Sequence, residues 1–252
     1  MLFDTHCHLD AGAFDGDRAA VWARAQHAGV ERLVNPAYDL PSCRRAISLA
    51  EQHPNIYAAV GIHPNDCATF ESDLPALRAL IRHPKVVAIG EIGLDYHWQR
   101  TTPAQQAAAF AAQIELAREF NLPIIVHCRD AYDDALTLLE THAQGLSVVL
   151  HAFAGNLEHA QRALRQGWLI GIGGPLTYRK ADSLREIAAA MPLDHVLLET
   201  DSPYLPPHPH RGRRNEPAYV ALVAERLSQL RSVSLARVAD ETTSAALRFF
   251  KL

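Results

Sequence analysis

Short apolar segments alternate with longer amphipathic segments along the whole of this 252-residue sequence. The short segments are apolar on both faces, which is typical of parallel strands covered by helices. In the longer segments, such as Ala104–Phe120 and Leu157–Gln166, apolar residues recur every three or four positions, and this spacing predicts helices. The predicted strands are Leu2–Thr5, Arg32–Asn35, Ile56–Ile62, Val86–Gly90, Pro123–His127, Ser147–His151, Trp168–Ile172 and His195–Thr200.

Eight strand–helix units in a chain of this length predict an α/β fold, a single (β/α)8 barrel of the TIM type. The segment Pro217–Lys251 follows the last predicted strand and is expected to form one or two helices that close the barrel. A doubly wound open sheet is the alternative, but such sheets usually carry a glycine-rich turn after the first strand. Here that position reads Asp-Thr-His-Cys-His. Since no linker or low-complexity segment divides the chain, residues 1–252 are predicted to be one domain.

Composition narrows the class of protein further. Hydrophobic residues make up 48% of the chain and charged residues 21%, which is typical of a globular protein. The net charge of −4 argues against a wholly basic nucleic-acid coat or a polybasic membrane surface. The four cysteines form no CxxC pair, and no apolar segment suits a signal peptide or a membrane span. These features predict a cytoplasmic protein with reduced cysteines and no membrane partner, and a monomer is the default expectation.

The 14 histidines are the unusual feature of the composition, and several lie at the carboxyl ends of predicted strands. In a (β/α)8 barrel these ends meet at one face, where the active site lies. His6 and His8 stand two residues apart, so their side chains can project to the same side. The polar residues at these strand ends are His6, His8, His63, Glu91, His127, His151 and Asp201.

Imidazole and carboxylate are the ligands expected for zinc, manganese and similar divalent ions. A lone histidine at a strand end is more often an ordinary hydrogen-bonded residue than a ligand. Six ionisable groups at one rim, however, are costly to bury unless they are paired or bind metal, and packing alone does not explain them. Four histidines with Glu91 and Asp201 exceed the needs of one tetrahedral ion. They predict two divalent ions about 3.5–4 Å apart with Glu91 between them.

Other polar residues receive simpler interpretations. His208 and His210 lie in a proline-rich loop and are expected at the rim only. Cys7 and Cys128 neighbour predicted ligands but are expected to point to the opposite strand face and pack there. The remaining histidines that fall in predicted helices are expected to be solvated, namely His27, His53, His83, His142 and His159.

The segments around these residues resemble the TatD family of metal-dependent hydrolases, which belongs to the wider amidohydrolase superfamily of (β/α)8 barrels. The resemblance runs from Phe3 to the C-terminal tail. It implies a dependence on Mg or Zn and 3′–5′ deoxyribonuclease activity on nucleic acid, and some members have been proposed to act on other esters, including aminoacyl-tRNA. The segments that carry it are FDTHCHLD, VGIHP, GEIGLDYH, PIIVHCRDA, LHAFAGN, IGIGG and LLETDSPYLPP.

The resemblance also implies roles for individual residues. His6 and His8 would hold one ion, and His127 and His151 the other, with Glu91 bridging them. Asp201 would bind the first ion and orient or deprotonate the attacking water. Glu199 would lie behind the ligands and support them, or else serve as a buried structural partner. His63 would contact a phosphate or substrate oxygen. Asp95 would orient its loop.

Basic residues near the strand ends are candidates for substrate contacts. Arg129, Arg179 and Lys180 each follow a strand end, and solvated loop charges are their equal alternative. The loop 205–215 adds Arg211, Arg213 and Arg214, a local basic cluster that is expected to follow a nucleic-acid backbone.

Three positions depart from the family pattern, and all three lie at the rim. Asn65 stands where many relatives carry a second histidine after GxHP. Ala152-Phe153-Ala154-Gly155 replaces the usual Cys-Phe-Ser-Gly, and Tyr178-Arg179-Lys180 replaces a common Phe-Lys-Asn. The predicted ligands are intact, so these departures bear on substrate choice.

Three functions follow in order of preference. The first is a phosphodiesterase acting as a 3′–5′ exodeoxyribonuclease on single-stranded DNA or 3′ ends, with two ions of Zn, Mg or Mn. The second is a carboxylic ester or amide hydrolase such as a deacylase, since the same activated water attacks a carbonyl carbon. The third is a non-catalytic metal-binding protein, which is disfavoured because structural zinc sites are closed and usually rich in thiolate.

Overall fold

The computed structural model describes residues 1–98 and 100–252, in which eight parallel strands follow one another in sequence order around one sheet. The first and last strands come together through the N–H of Thr5, which donates to the carbonyl of Leu198. The sheet therefore curves into a nearly closed barrel. The strands are β1 (Leu2–Asp4), β2 (Val30–Pro36), β3 (Ile56–Val60), β4 (Val86–Asp95), β5 (Ile124–Arg129), β6 (Val148–Leu150), β7 (Leu169–Ile172) and β8 (Val196–Leu198).

Helices alternate with the strands and cover the outside of the barrel, which confirms the predicted (β/α)8 architecture. The tail forms two helices, as the sequence predicts. No helix within residues 1–98 and 100–252 has the length and apolar character needed to cross a membrane. The helices are α1 (Arg18–His27), α2 (Leu40–Gln52), α3 (Phe70–Ile81), α4 (Pro103–Phe120), α5 (Tyr132–His142), α6 (Leu157–Arg165), α7 (Asp182–Ala190), α8 (Val220–Arg231) and α9 (Leu235–Phe250).

Side-chain caps fix the starts of several helices. Asp39, Thr102 and Asn156 precede α2, α4 and α6, and each accepts the N–H three residues later in a reciprocal capping box. In α6 the reciprocating side chain is that of His159, whose ring also stacks on Tyr132 at 5.1 Å. The expectation that His159 is merely solvated is therefore wrong, because its ring caps one helix and packs on another.

An apolar layer fills the inside of the barrel at its amino end. It includes Phe3 from β1 and Ile125 from β5, together with Phe249 and Phe250 from α9. The ring centroids of Phe3 and Phe250 lie 5.7 Å apart. Because α9 closes this end with apolar side chains, the polar interior residues are left for the carboxyl end.

The fourth strand is longer than its sequence predicts. We expected it to end at Gly90, with Glu91 just beyond it, but β4 continues to Asp95. The cause is its pairing with β5, whose register shifts between Ile89 and Ile92 and then continues with Gly93 opposite His127. Glu91 therefore lies within a strand, where the backbone holds it more firmly than a loop would.

Candidate metal centre

The polar residues predicted from the strand ends converge at the carboxyl end of the barrel, around the carboxylate of Glu91. They come from five different strands or the segments that follow them, so no single loop builds the site. Their positions are after β1 for His6 and His8, within β4 for Glu91, within β5 for His127, after β6 for His151 and after β8 for Asp201.

One group of potential ligand atoms comes from His6, His8 and Asp201, whose atoms lie within 4.8 Å of one another. Nε2 of His8 lies 3.4 Å from Oδ1 of Asp201, and Nε2 of His6 lies 3.7 Å from the same oxygen. Nδ1 of His8 is 3.2 Å from the carbonyl oxygen of Pro36. A hydrogen bond there leaves the lone pair of Nε2 directed at the carboxylates, as a metal ligand requires.

A second group comes from Glu91, His127 and His151, again within 4.8 Å. Oε1 of Glu91 lies 2.8 Å from Nε2 of His151 and 2.9 Å from Nδ1 of His127. The other oxygen, Oε2, lies 3.5 Å from Nε2 of His6 and 3.9 Å from Nε2 of His8. The two oxygens of one buried carboxylate thus face the two histidine groups separately.

The charges of the two carboxylates follow from their surroundings. Burial raises the pKa of the Glu91 carboxyl, but the interaction with His151 and the hydrogen bonds with His127 and His151 outweigh it, so the pKa lies well below its usual value. Burial likewise raises the pKa of Asp201, and its hydrogen bond with His8 and the nearby histidines bring it below the usual value. Both side chains are therefore ionised at neutral pH, the form that binds metal.

Unpaired buried nitrogens show that the residues fit a divalent metal. Within residues 1–98 and 100–252, both ring nitrogens of His6 and Nδ1 of His151 are buried without a hydrogen-bond partner. Such atoms are rare because losing water without a replacement partner costs free energy. A cation that accepts the lone pair of His6 Nε2, which lies 3.5 Å from Glu91 and 3.7 Å from Asp201, would remove this cost for that nitrogen, and the donor set suits Zn or Mn.

Glu199 supports the site from behind. It lies just beyond β8, is 1% exposed, and its Oε1 accepts the N–H of Ala152 and lies 3.7 Å from Nδ1 of His151. The room for it is provided by Gly171 on β7, since a Cβ at that position would overlap the carboxylate. Glu199 also forms a ligand-like group with His6 and His151. This arrangement can orient His151, in the way that carboxylates orient metal-binding histidines.

Asp95 contacts the site more directly than the sequence predicts. We expected it only to orient its loop, and its Oδ1 does accept the N–H groups of His97 and Trp98 at 2.9 Å. Its Oδ2, however, lies 3.1 Å from Nε2 of His127 and accepts Nδ2 of Asn65 at 3.0 Å. The hydrogen bond to Nε2 leaves Nδ1 of His127 facing Glu91. The pattern missed this role because Asp95 ends an unexpectedly long β4.

Replacing Asp95 with asparagine is expected to lower metal affinity about 10- to 100-fold, because the amide would put a donor where an acceptor now fixes the ring of His127. Isothermal titration calorimetry of the metal into protein that a chelator has stripped of metal measures the change in affinity. Asp194→Asn is the matched control. Asp194 lies 2.9 Å from Nδ1 of His195, and this pair precedes β8, away from the metal centre. Equal affinities for Asp95→Asn and wild-type protein would contradict the positioning role.

The loop that carries Asp201 is fixed to the first strand by a buried carboxylate. Asp4 accepts the N–H of Thr200 at 2.9 Å and its hydroxyl at 2.6 Å. The N–H of Asp201 donates to the carbonyl of His6 at 2.8 Å. These bonds hold His6 and Asp201 at a set separation, so the first group of ligands is preorganised.

His63 borders the second group of ligands. Its Nε2 lies 3.8 Å from Oε1 of Glu91, and its ring centroid lies 4.4 Å from that of His127. Burial, with the neighbouring His127, lowers the pKa of His63 to about 3. Its Nδ1 accepts the N–H of Asn65, so Nε2 carries the hydrogen of the neutral ring. His63 can therefore donate a hydrogen bond to an oxygen beside the site.

The predicted basic contacts divide into two kinds. Arg129 lies over the ring of Trp98 at 5.8 Å, and Arg211 lies over the ring of Tyr178 at 3.8 Å. The basic side chains of the second kind are exposed at the rim. Within residues 1–98 and 100–252 they form no ion pair or hydrogen bond, and they are Arg179, Lys180 and Arg213.

Arg214 does not belong to the basic cluster that we predicted. Its guanidinium pairs with Asp17 at 2.7 Å and Glu216 at 3.0 Å and lies over the ring of Phe14. The contacts tie the loop after β8 to the start of α1. The charge of Arg214 is therefore already neutralised, which the sequence could not reveal because its partners are distant along the chain.

Two of the three departures from the family pattern, Asn65 and the segment 152–155, have defined contacts. Oδ1 of Asn65 accepts the N–H of Arg100, while its amide reaches Asp95. Ala152 and Ala154 act through their backbones, whose N–H groups donate to Glu199 and to the hydroxyl of Tyr132 respectively. Because the backbone supplies these contacts, the alanines leave the support of the site intact.

The cysteines are all buried and free. Cys7 packs in the core, with its sulfur 3.0 Å from the hydroxyl of Ser202, and Cys128 packs there as well. Of the other histidines, His27 is exposed and His83 is partly exposed beside Glu51. His210 stacks on Tyr219, with ring centroids 4.0 Å apart.

Comparison with known proteins agrees with this geometry. The sequence model of a family described as "TatD related DNase" matches residues 3–251. The chain is 43% identical to the uncharacterized metal-dependent hydrolase YabD of Bacillus subtilis, over 100% of both chains. It is 36% identical to the 3′-5′ ssDNA/RNA exonuclease TatD of Escherichia fergusonii, over 99% of this chain and 98% of that protein. The crystal structure of YjjV, a TatD homologue from Escherichia coli, superimposes with a TM-score of 0.90 at 34% identity, covering 100% and 98% of the two chains.

A parallel barrel whose carboxyl end gathers histidines around a shared buried glutamate is the arrangement expected of a metal-dependent hydrolase, the class named for the relatives. The matching family model spans nearly all of the chain, and the relatives cover it from end to end. The chain belongs to the TatD family of metal-dependent hydrolases.

Proposed function

We propose that this protein is a 3′–5′ exonuclease that hydrolyses phosphodiester bonds of single-stranded DNA with two divalent ions, of Zn, Mg or Mn, per chain. The proposal rests on how the two oxygens of the Glu91 carboxylate face different histidine pairs. Oε1 lies near His127 and His151, while Oε2 lies near His6 and His8. Paired ions suit in-line displacement at phosphorus because they stabilise both the attacking and the leaving oxygen. The exonuclease name of the Escherichia fergusonii relative supports the same activity.

Charge supports an anionic substrate. The four histidines would bind metal as neutral rings, so Glu91 and Asp201 are the only charged ligands of the proposed set. Two divalent ions would leave the pocket with a net charge of about +2. The exposed cations Arg179, Lys180 and Arg213 lie on loops at the same end of the barrel. Such a surface attracts a phosphodiester although the whole chain carries a charge of −4.

The side chains have separate tasks in the proposed reaction. Divalent ions, when bound, would polarise the phosphodiester and lower the pKa of a water at the site. Asp201 is the more exposed of the two carboxylates, with a side chain 15% exposed against 6% for Glu91. It is ionised, so it can orient water and accept its proton. The neutral ring of His63 would donate a hydrogen bond to a phosphate oxygen. Since every one of these groups lies on one chain, we propose that residues 1–252 act as one catalytic domain and as a monomer.

A single-stranded oligonucleotide labelled at its 5′ end is expected to shorten stepwise when the protein is reloaded with Mg, Mn or Zn in turn. Asp201→Asn is expected to slow this hydrolysis at least about 100-fold, because it removes the proton acceptor. Gel electrophoresis of timed samples shows both the rate and the direction of shortening.

Other outcomes would replace the proposal. An intact oligonucleotide in every metal, with hydrolysis of an aminoacyl ester that Asp201→Asn abolishes, would identify a deacylase instead. Metal binding without hydrolysis of either ester would indicate a non-catalytic metal-binding protein.

A further inference from the structure

Exposed aromatic side chains gather at the face that carries the metal centre. Tyr38 follows β2, Trp98 follows β4 and Tyr204 follows β8, and their exposed fractions are 37%, 59% and 59%. We refer to these three residues as the aromatic rim. The other large hydrophobic side chains exposed in the described residues are Leu205, beside Tyr204, and three at the chain ends or on α9, namely Met1, Leu252 and Leu235.

Two members of the aromatic rim flank a predicted metal ligand. The ring of Tyr204 lies 6.0 Å from that of His8 at an interplanar angle of 70°, and the ring of Tyr38 lies 6.3 Å away at 63°. Both rings are tilted steeply against the imidazole, and both side chains are exposed to solvent. Any group bound at His8 therefore has two exposed aromatic side chains beside it.

The backbone that carries each exposed ring is bonded to residues of the site or its loops. The N–H of Tyr204 donates to the carbonyl of Asp201, and its own carbonyl accepts from the amide of buried Asn215. The N–H of Trp98 donates to the carboxylate of Asp95. The carbonyl of Tyr38 accepts the N–H of His63. An exposed ring on an ordered backbone loses little conformational entropy on binding, which favours a recognition surface.

One cationic group accompanies the aromatic rings, since Arg129 lies 5.8 Å from the ring centroid of Trp98. Arg45 donates to the hydroxyl of Tyr38 at 3.0 Å and fixes that ring, but its charge is paired with Asp10 at 3.1 Å. Surfaces that bind single-stranded nucleic acid combine these two features, because aromatic rings stack on bases while cations follow the phosphates. A small carboxylic ester or a phosphate alone would have no use for the exposed rings.

We propose that the aromatic rim stacks on the bases of a single strand that enters the site, with Tyr204 and Tyr38 beside the nucleotides next to the cleaved phosphate. The inference rests on the proposed function and deepens it, because it assigns residues that recognise the base. Stacking tolerates every base, since each has a π face. The rim therefore selects unpaired 3′ ends over paired ones without selecting a sequence.

The test compares binding of two labelled oligonucleotides that carry phosphorothioate linkages, one with normal 3′ nucleotides and one with two abasic tetrahydrofuran residues at the 3′ end. Wild-type protein is expected to bind the normal oligonucleotide about tenfold more tightly, within the range for stacking of one or two bases. Tyr204→Ala is expected to reduce this difference by weakening binding of the normal oligonucleotide alone, while Tyr38 retains part of it. Tyr204→Phe is expected to keep it, because the ring remains. Fluorescence anisotropy gives each Kd.

Leu235→Ala is the matched control, since Leu235 is 46% exposed on α9 and lies on no loop of the site. It is expected to leave both Kd values unchanged. Equal wild-type affinity for the two oligonucleotides would overturn the inference, and so would an equal loss for both in Tyr204→Ala. Hydrolysis of natural-linkage versions separates the two proposals. A tenfold binding difference without hydrolysis would support the stacking and contradict the nuclease, whereas hydrolysis with equal Kd values would do the reverse.

Discussion

Replacing Glu91 with glutamine is expected to lower kcat/KM on an oligonucleotide at least about 1000-fold, a loss of about 4 kcal/mol of transition-state stabilisation. The physical reason is that the two oxygens of Glu91 serve two histidine groups at once, at 2.8 Å and 2.9 Å for Oε1 and at 3.5 Å and 3.9 Å for Oε2. An amide keeps the shape but replaces one acceptor with a donor and removes the charge. Glutamine at position 91 could therefore not act as a ligand for two cations, one at each histidine group.

Metal content distinguishes this explanation from simple damage to the fold. Elemental analysis of dialysed Glu91→Gln protein is expected to show fewer bound ions per chain than the wild type, while circular dichroism remains unchanged. Glu225→Gln, which changes an exposed glutamate on α8 in the same way, should keep both metal and activity. Full metal content together with wild-type turnover in Glu91→Gln would contradict the bridging role.

The positions of the strands could be predicted from the sequence, and the convergence of the ligands followed from them. Runs apolar on both faces mark the strands of a covered parallel sheet, and their carboxyl ends must meet. His151 and Asp201 lie 50 residues apart in the sequence, yet His151 directly follows β6 and Asp201 lies three residues beyond the end of β8. The pattern therefore placed them at one face without any knowledge of distances. The closing role of α9 followed from the same periodicity.

Contacts between distant segments could not be predicted in this way. The extension of β4 depends on a register shift against β5, so the link from Asp95 to His127 had no local signal. Arg214 appeared to be a free cation because its ion pair with Asp17 joins residues 197 positions apart. Tyr204 was unremarkable in the sequence because its exposure depends on the surrounding loops. Each case depends on contacts between residues that are distant in the sequence, and local secondary-structure propensity does not predict such contacts.

Replacing Gly93 with alanine is expected to lower the free energy of unfolding by about 4 kcal/mol or more, which is exceptional for one methyl group. Gly93 has a φ of +139°, and a Cβ there would overlap the carbonyl oxygen of His127 on the neighbouring strand. The pair lies in direct register between β4 and β5. Relief of the overlap requires a backbone shift of His127 relative to Glu91, so the change should disturb the metal centre as well as the barrel.

Gly145→Ala separates the overlap from the cost of a positive φ. Gly145 has a φ of +78°, but nothing lies within 4 Å of a Cβ built there, so its loss should be only about 1–2 kcal/mol. Urea denaturation with a chelator present measures both variants, because bound metal would otherwise add to the stability of the folded state. A Gly93→Ala loss as small as that of Gly145→Ala would show that β5 can shift freely at His127. The second histidine group would then need its metal, rather than the close approach of β4 and β5, to hold it in place.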